Sequence, residues 1–297
     1  MQQHGMPNWI KWVAAAAAGL GTLATLFTFL QAWLLVHPRR KPFVSHPRDY
    51  DIPHEEVMIA SPAGDLAAWF LPGVNKRTLI ALHGINDNRE QWLAPALDLQ
   101  KRGYALLLLD LRAHGQSGGR HVTFGDRETE DVAAALAYLR RRGDIDMARI
   151  GLMGLSLGGI AAIIAAAQLP EVRAVMAESA FPDLMVDLAL AFKRFTGLPP
   201  FPFAQMAAFW GQLITGTKLR NTRAIEAVSK IAPRPVFIIG DLDDKIVVEP
   251  EGSQALYDRA GEPKYLWQLP DVPHVGAYRT NPSEYITRLD DFFAQAL

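Results

Sequence analysis

The segment Gly154-Leu155-Ser156-Leu157-Gly158-Gly159 follows a short apolar run and leads into an Ala/Ile-rich stretch. A strand, a sharp turn and a helix in that order hold a serine in a strained position with its hydroxyl clear of the chain, and small residues two places to either side let neighbouring backbone come close. Such a serine is placed to attack a carbonyl carbon, but a hydroxyl is a weak nucleophile until a base takes its proton. Histidine, whose pKa lies nearest the working range, is the usual base. Of the eight histidines, His4, His37, His46, His54, His83, His114 and His121 precede Ser156 and only His274 follows it. If the chain order is nucleophile, acid, base, His274 in Pro270-Asp271-Val272-Pro273-His274-Val275-Gly276 is the single candidate.

A carboxylate must orient that imidazole and stabilise its cation. The segment Ile239-Gly240-Asp241-Leu242-Asp243-Asp244-Lys245 offers three. Asp243 is the expected acid, since it stands three residues after the glycine taken to end a strand. Asp241 and Asp244 are expected to cap or solvate the loop, or to pair with Lys245. Acyl transfer also needs donors aimed at the oxyanion. The backbone N–H of Leu157, at a helix start, supplies one, and Ile85 in His83-Gly84-Ile85-Asn86 is the best second candidate. His83 itself reads as structural.

These residues need elements that deliver them to one place. Apolar runs at 55–61, 65–71, 78–82, 104–109, 149–153, 172–177, 235–239 and 264–269 make eight strand candidates, the first two joined by Pro62-Ala63-Gly64 as a hairpin. Between the later runs, 89–101, 126–142, 157–168, 250–260 and 282–295 carry apolar residues at helical spacing. Alternation of this kind, with strands such as Leu106-Leu107-Leu108-Leu109 apolar on both faces, implies an α/β fold: an eight-stranded, mostly parallel sheet covered by helices. Ligands then sit beyond the carboxyl ends of the strands, where Ser156, the acidic run and His274 all fall. An insertion at about 183–230 is rich in aromatics, among them Phe192, Phe195, Phe201, Phe203, Phe209 and Trp210.

Composition narrows the rest. With 30 Lys and Arg against 31 Asp and Glu the net charge is −1, so no field exists to hold nucleic acid. The absence of cysteine removes disulfides, zinc-thiolate sites, iron–sulfur ligation and thiol nucleophiles together. Residues 1–48 hold five bases and no acid, which leaves the remainder acidic. Residues 12–36 are uncharged, long enough to span a bilayer, flanked by Trp9, Trp12 and Trp33, and stopped by Pro38 and Pro42. A cleavable signal would want a shorter apolar core and a small-x-small site, which Leu34-Leu35-Val36-His37-Pro38 lacks. Residues 1–41 are therefore expected to be an N-terminal membrane anchor and 42–297 one domain. Arg39, Arg40, Lys41 and Arg48 after the span, against Lys11 before it, put that domain on the cytoplasmic side of the cell membrane.

The constellation resembles the α/β-hydrolase superfamily and, within it, a bacterial membrane-anchored serine-hydrolase branch with BEM46-like and YqkD-like members. The resemblance rests on His83-Gly84, Asp110-Leu111-Arg112-Ala113-His114-Gly115-Gln116-Ser117, Gly125-Asp126-Arg127-Glu128 with Asp131, the segment 154–159, Arg234-Pro235, the segment 240–243, and His274, and runs through nearly all of residues 55–297. Ala113 departs from the pattern, because similar proteins usually have glycine there. The resemblance implies that the insertion is a helical lid, that Ser156, Asp243 and His274 act through an acyl-enzyme, and that no metal or cofactor is required. The expected substrate is a small-molecule or lipid-like ester, or thioester, of an apolar acyl group, with a serine peptidase as a variant. The other class is a catalytically silent membrane scaffold of the same fold. Oligomeric state is not legible.

Overall fold

The structure is a computed structural model, and it describes residues 7–244 and 251–297, with the side chains of 219 and 220 left aside. Lys245, the expected partner of Asp241 or Asp244, lies outside the described residues. Among the described residues there are ten α-helices and eight strands: α1 Asn8–Val36, β1 Glu55–Ile59, β2 Leu66–Leu71, β3 Thr78–Leu82, α2 Leu93–Lys101, β4 Ala105–Leu109, α3 Glu128–Arg142, β5 Ile150–Leu155, α4 Leu157–Gln168, β6 Val172–Glu178, α5 Leu184–Thr196, α6 Pro200–Thr215, α7 Ala224–Ala227, β7 Val236–Asp241, α8 Glu251–Arg259, β8 Lys264–Leu269, α9 Ala277–Thr280 and α10 Pro282–Ala296.

The strands form one sheet in the order β1-β2-β4-β3-β5-β6-β7-β8. β2 pairs antiparallel with both β1 and β4, and every pairing from β4 through β8 is parallel. Strands β2 to β7 are apolar on both faces because helices cover both, which separates the core into two layers. Ala162, Ile160 and Ile163 of α4 lie in one layer, and Trp92, Leu93, Tyr285 and Phe293 of the α2 and α10 side lie in the other. All the parallel strands point the same way, so the segments after β3, β5, β6, β7 and β8 meet at one sheet edge.

Helix α1 is long and apolar enough to cross a membrane. Its residues 11–23 are exposed all round, whereas Thr28, Ala32 and Val36 are buried. The last turns are built into the body. Val122 N–H donates to the Val36 carbonyl, and Phe27 and Phe29 meet Phe192 and Trp210 edge-on. The basic linker is also tied down: Arg40 donates to the carbonyls of His114, Gly115 and Ser117, and Lys41 pairs with Asp87. Helix α1 and the α/β body thus share a packed interface.

Candidate active site

Ser156 sits between β5 and α4 with φ 52° and ψ −115°, a left-handed backbone that a non-glycine residue adopts only under constraint. The constraint comes from its neighbours. A Cβ on Gly154 would lie 2.1 Å from the Gly158 carbonyl oxygen, and one on Gly158 would lie 2.2 Å from that of Leu82, so both positions must stay bare for the turn to close. Ser156 N–H donates to the Glu178 carbonyl at 2.9 Å, which fixes the turn to β6.

His274 lies on the loop after β8. Its Nε2 is 2.9 Å from Ser156 Oγ, and its Nδ1 is 2.5 Å from Asp244 Oδ2. A carboxylate only accepts, so the Nδ1 proton faces Asp244 and Nε2 is left to accept from the serine hydroxyl. The Asp244 side chain is 1% exposed and that of His274 is 14% exposed, which keeps the contact out of bulk water.

The structure thus brings Ser156 and His274 together and corrects the third residue: Asp244, not Asp243, meets the imidazole. The reason is register. β7 does not end at Gly240 but runs through Asp241, which still pairs with Leu269. Leu242 and Asp243 N–H then donate to the carbonyls of Leu269 and Val272, so the chain follows its neighbour two residues further and Asp244 is the one that turns in. Asp241 is the residue that caps, accepting from Ser179 Oγ at 2.6 Å and from Gly276 N–H.

The expected oxyanion donors are Leu157 and Ile85. Leu157 opens α4, where the first N–H groups have no partner within the helix and carry its positive end. Ile85 lies on the loop after β3, and a Cβ on Gly84 would come 3.5 Å from the Ser156 Cβ. Ile85, Leu157 and Ser156 line one cavity of about 190 Å³ together with Phe181, Leu184 and Phe192. Two histidines shape the Ile85 loop. His83 Nδ1–H donates to the Gly84 carbonyl while its Nε2 accepts from Leu111 N–H, and His114 Nε2 accepts from Asn86 N–H. Each ring uses one nitrogen as acceptor and so is neutral; burial pushes the pKa of His83 down to about 4 and that of His114 down to about 3.

A second set of polar residues, of which sequence singled out Asp241 alone, holds the backbone around His274. Val275 N–H donates to Ser179 Oγ, Gly276 N–H to Asp241, and Ala277 N–H to Glu178, whose other oxygen accepts from the Tyr285 hydroxyl at 2.7 Å. These contacts hold Val275 at φ 54°, a position that a β-branched residue rarely takes. Burial, with Asp241 close by, drives Glu178 well above the usual carboxylate range, and burial raises Asp241 too. The only sequence signal for this set is its position at the ends of β6 and β7.

Among the described residues, one cluster has metal-like composition: His46, His54 and Glu56, whose ligand atoms lie within 4.8 Å of one another. His46 Nδ1 accepts from Arg48 N–H and its Nε2–H donates to Glu56, so both ring nitrogens are engaged within the chain. The cluster borders a different cavity from the one at Ser156.

Comparison with known proteins agrees with this geometry. An esterase from Pyrococcus furiosus superposes with a TM-score of 0.75 at 28% identity, over 89% of this chain and 98% of that one. The uncharacterized protein YqkD of Bacillus subtilis is 27% identical over 226 residues, 74% of this chain and 72% of YqkD. The polyketide transferase ATR5 of Stachybotrys chlorohalonatus is 28% identical over 244 residues, 67% of this chain and 82% of that protein. Residues 57–207, just over half of the chain, match the family described as X-Pro dipeptidyl-peptidase (S15 family). With the hydrolase sheet, the strained serine turn and this match together, the chain belongs to the S15 peptidase family of the α/β-hydrolase clan.

Proposed function

We propose that the protein is a membrane-anchored serine hydrolase that cleaves carboxylic esters or thioesters of apolar acyl groups. The observation that carries the reading is the contact of His274 with Ser156 on one side and Asp244 on the other, beside an apolar cavity. Ser156 Oγ attacks the carbonyl carbon as its proton passes to His274 Nε2, and Asp244 stabilises the imidazolium. The tetrahedral oxyanion accepts from the N–H groups of Leu157 and Ile85. Collapse breaks the bond to the alcohol or thiol, which leaves with the proton from His274. Water then gives a proton back to His274 and attacks the acyl-serine, releasing the acid and restoring the hydroxyl. The likeness to an esterase from Pyrococcus furiosus supports ester cleavage.

Retention of α1 is supported by its place in the fold: Gln31 and Leu35 line the same cavity as Ser156, so removal of the helix would strip a wall from the site. The basic residues after the span support a catalytic part on the cytoplasmic side. A second reading, a peptidase, is favoured by the family match and by Asp187, a buried carboxylate lining the cavity where it would meet a substrate ammonium group.

Full-length protein offered p-nitrophenyl butyrate and Ala-Pro-p-nitroanilide separates the two. The ester is expected to be cleaved with kcat/KM at least about 100-fold above the anilide, and Ser156→Ala is expected to lower ester turnover by about 10⁴-fold or more. Preferential cleavage of the anilide, lost in Asp187→Asn, would favour the peptidase; cleavage of neither by folded protein would favour a silent scaffold.

A further inference from the structure

We infer that the substrate is a long-chain acyl ester dissolved in the bilayer, and that its acyl chain enters the catalytic cavity sideways from the leaflet, between the last turns of α1 and the tip of the α5–α6 hairpin. This rests on the hydrolase reading above and specifies its substrate.

The geometry begins with the direction of the hairpin. Phe27 of α1 meets Phe192, which stacks on Phe203 near the start of α6; Phe29 meets Trp210, and Val36 approaches Gly211. The contacts climb both helices together, so α6 runs parallel to α1. The turn joining α5 to α6, at residues 197–199, therefore points toward the exposed N-terminal part of α1 and away from the α/β body. The helix as a whole is sized for a bilayer: from Trp9 to Trp33 an ideal helix rises about 36 Å, a hydrocarbon core with its two interfaces. Trp33 and Trp210 both lie within 6.2 Å of the Phe29 ring, and they mark the near interface. From Trp210 back to Pro202, just after the non-helical Phe201, is about 12 Å of helix, so the tip reaches into the near leaflet.

The surface of the tip suits that place. Phe195 is 70% exposed and Phe201 75%, with the exposed Leu198 between them in the chain, a surface that water disfavours and acyl chains accept. The exposed charges on the hairpin are Lys193 and Arg194, whose long stems carry their heads back to lipid phosphates. Phe195 also lines the cavity that holds Ser156. A residue that is both cavity wall and membrane-facing surface marks the mouth, and Gln31 and Leu35 of α1 line the same cavity. A water-soluble ester has no need of this route; a chain already in the leaflet passes from one apolar environment to another without crossing water.

The test uses full-length protein in vesicles of dioleoyl phosphatidylcholine and phosphatidylglycerol carrying monooleoylglycerol, with oleate release as one readout and p-nitrophenyl butyrate hydrolysis in the same vesicles as the other. The wild type is expected to release oleate. Leu198→Glu with Phe201→Glu, two tip residues outside the cavity, is expected to cut oleate release at least 10-fold while butyrate hydrolysis stays within 2-fold. Leu35→Trp is expected to lower the ratio of oleate to butyrate activity at least 10-fold. Wild-type protein that hydrolyses butyrate but releases no oleate, or tip variants that change both activities equally, would overturn lateral entry and leave the hydrolase reading standing. Inactivity on both esters would instead remove the hydrolase reading itself.

Discussion

At the scale of single residues, the acid that faces His274 turns on one hydrogen-bonded step of backbone. Ser156 and His274 were legible because the glycines around the serine declare its turn and because no other histidine follows it in the chain. The acid was not legible: Asp241, Asp243 and Asp244 have the same chemistry, and only the length of β7 decides which one points inward. Sequence places the strand end at Gly240, whereas pairing with β8 carries it through Asp241 and shifts the inward position to Asp244. Asp244→Asn is accordingly expected to lower kcat for a short ester by about 10⁴-fold, because the imidazole loses both its orientation and the partner of its cation. Asp243→Asn is expected to stay within about 3-fold, since Asp244 is the carboxylate that meets His274 Nδ1. Steady-state rates of the two variants decide it, and a reversed order would return the role to Asp243.

At the scale of elements, the alternation of apolar runs and helical spacing located all eight strands to within a residue or two at each end, because strands covered on both faces cannot hide their composition. What sequence could not supply is the contact between elements. The aromatics of the 183–230 insertion read as lid or packing, yet two of them, Phe192 and Trp210, pack on α1, a helix far earlier in the chain. The loop after β4 offers a sharper case. Asp110 accepts from Arg89 N–H, from the Arg89 guanidinium and from Gln116 N–H, and this closes the chain so tightly that a Cβ on Gly115 would overlap the carboxylate. Ala113, where similar proteins usually have glycine, lies in the same loop at φ 64°. The left-handed conformation costs a Cβ-bearing residue about 1–2 kcal/mol, partly offset by the greater freedom glycine has when unfolded. Ala113→Gly is therefore expected to raise stability by about 0.5–1 kcal/mol in urea unfolding. A loss of stability would mean that the loop is not held in this conformation.

At the scale of the whole molecule, burial of neutral histidines ties stability to pH. His83 and His114 have folded pKa values depressed from 6.5 to about 4 and about 3, so between these limits the unfolded chain binds protons that the fold refuses. Their contribution is complete above pH 6.5 and drains away as the pH falls. Asp131, held by Arg112 but raised to about 6 by burial, acts in the opposite sense between about 6 and 3.8, because there the fold takes up a proton that the unfolded chain does not. The histidine effect is isolated by difference: wild type is expected to lose stability more steeply than His114→Gln by about 1.4 kcal/mol per pH unit between pH 6 and 4. Parallel curves would show that His114 is protonated in the fold. Helix α1, long and apolar enough to cross a bilayer, also walls the cavity beside Ser156. The most direct measurement of the account is the mass of the peptide containing Ser156 after full-length protein in vesicles reacts with an alkyl fluorophosphonate. The account predicts a single phosphonyl adduct on Ser156, absent in Ser156→Ala and formed at least 100-fold more slowly in His274→Ala. Folded wild-type protein that stays unmodified, or that carries the adduct at another residue, would contradict it.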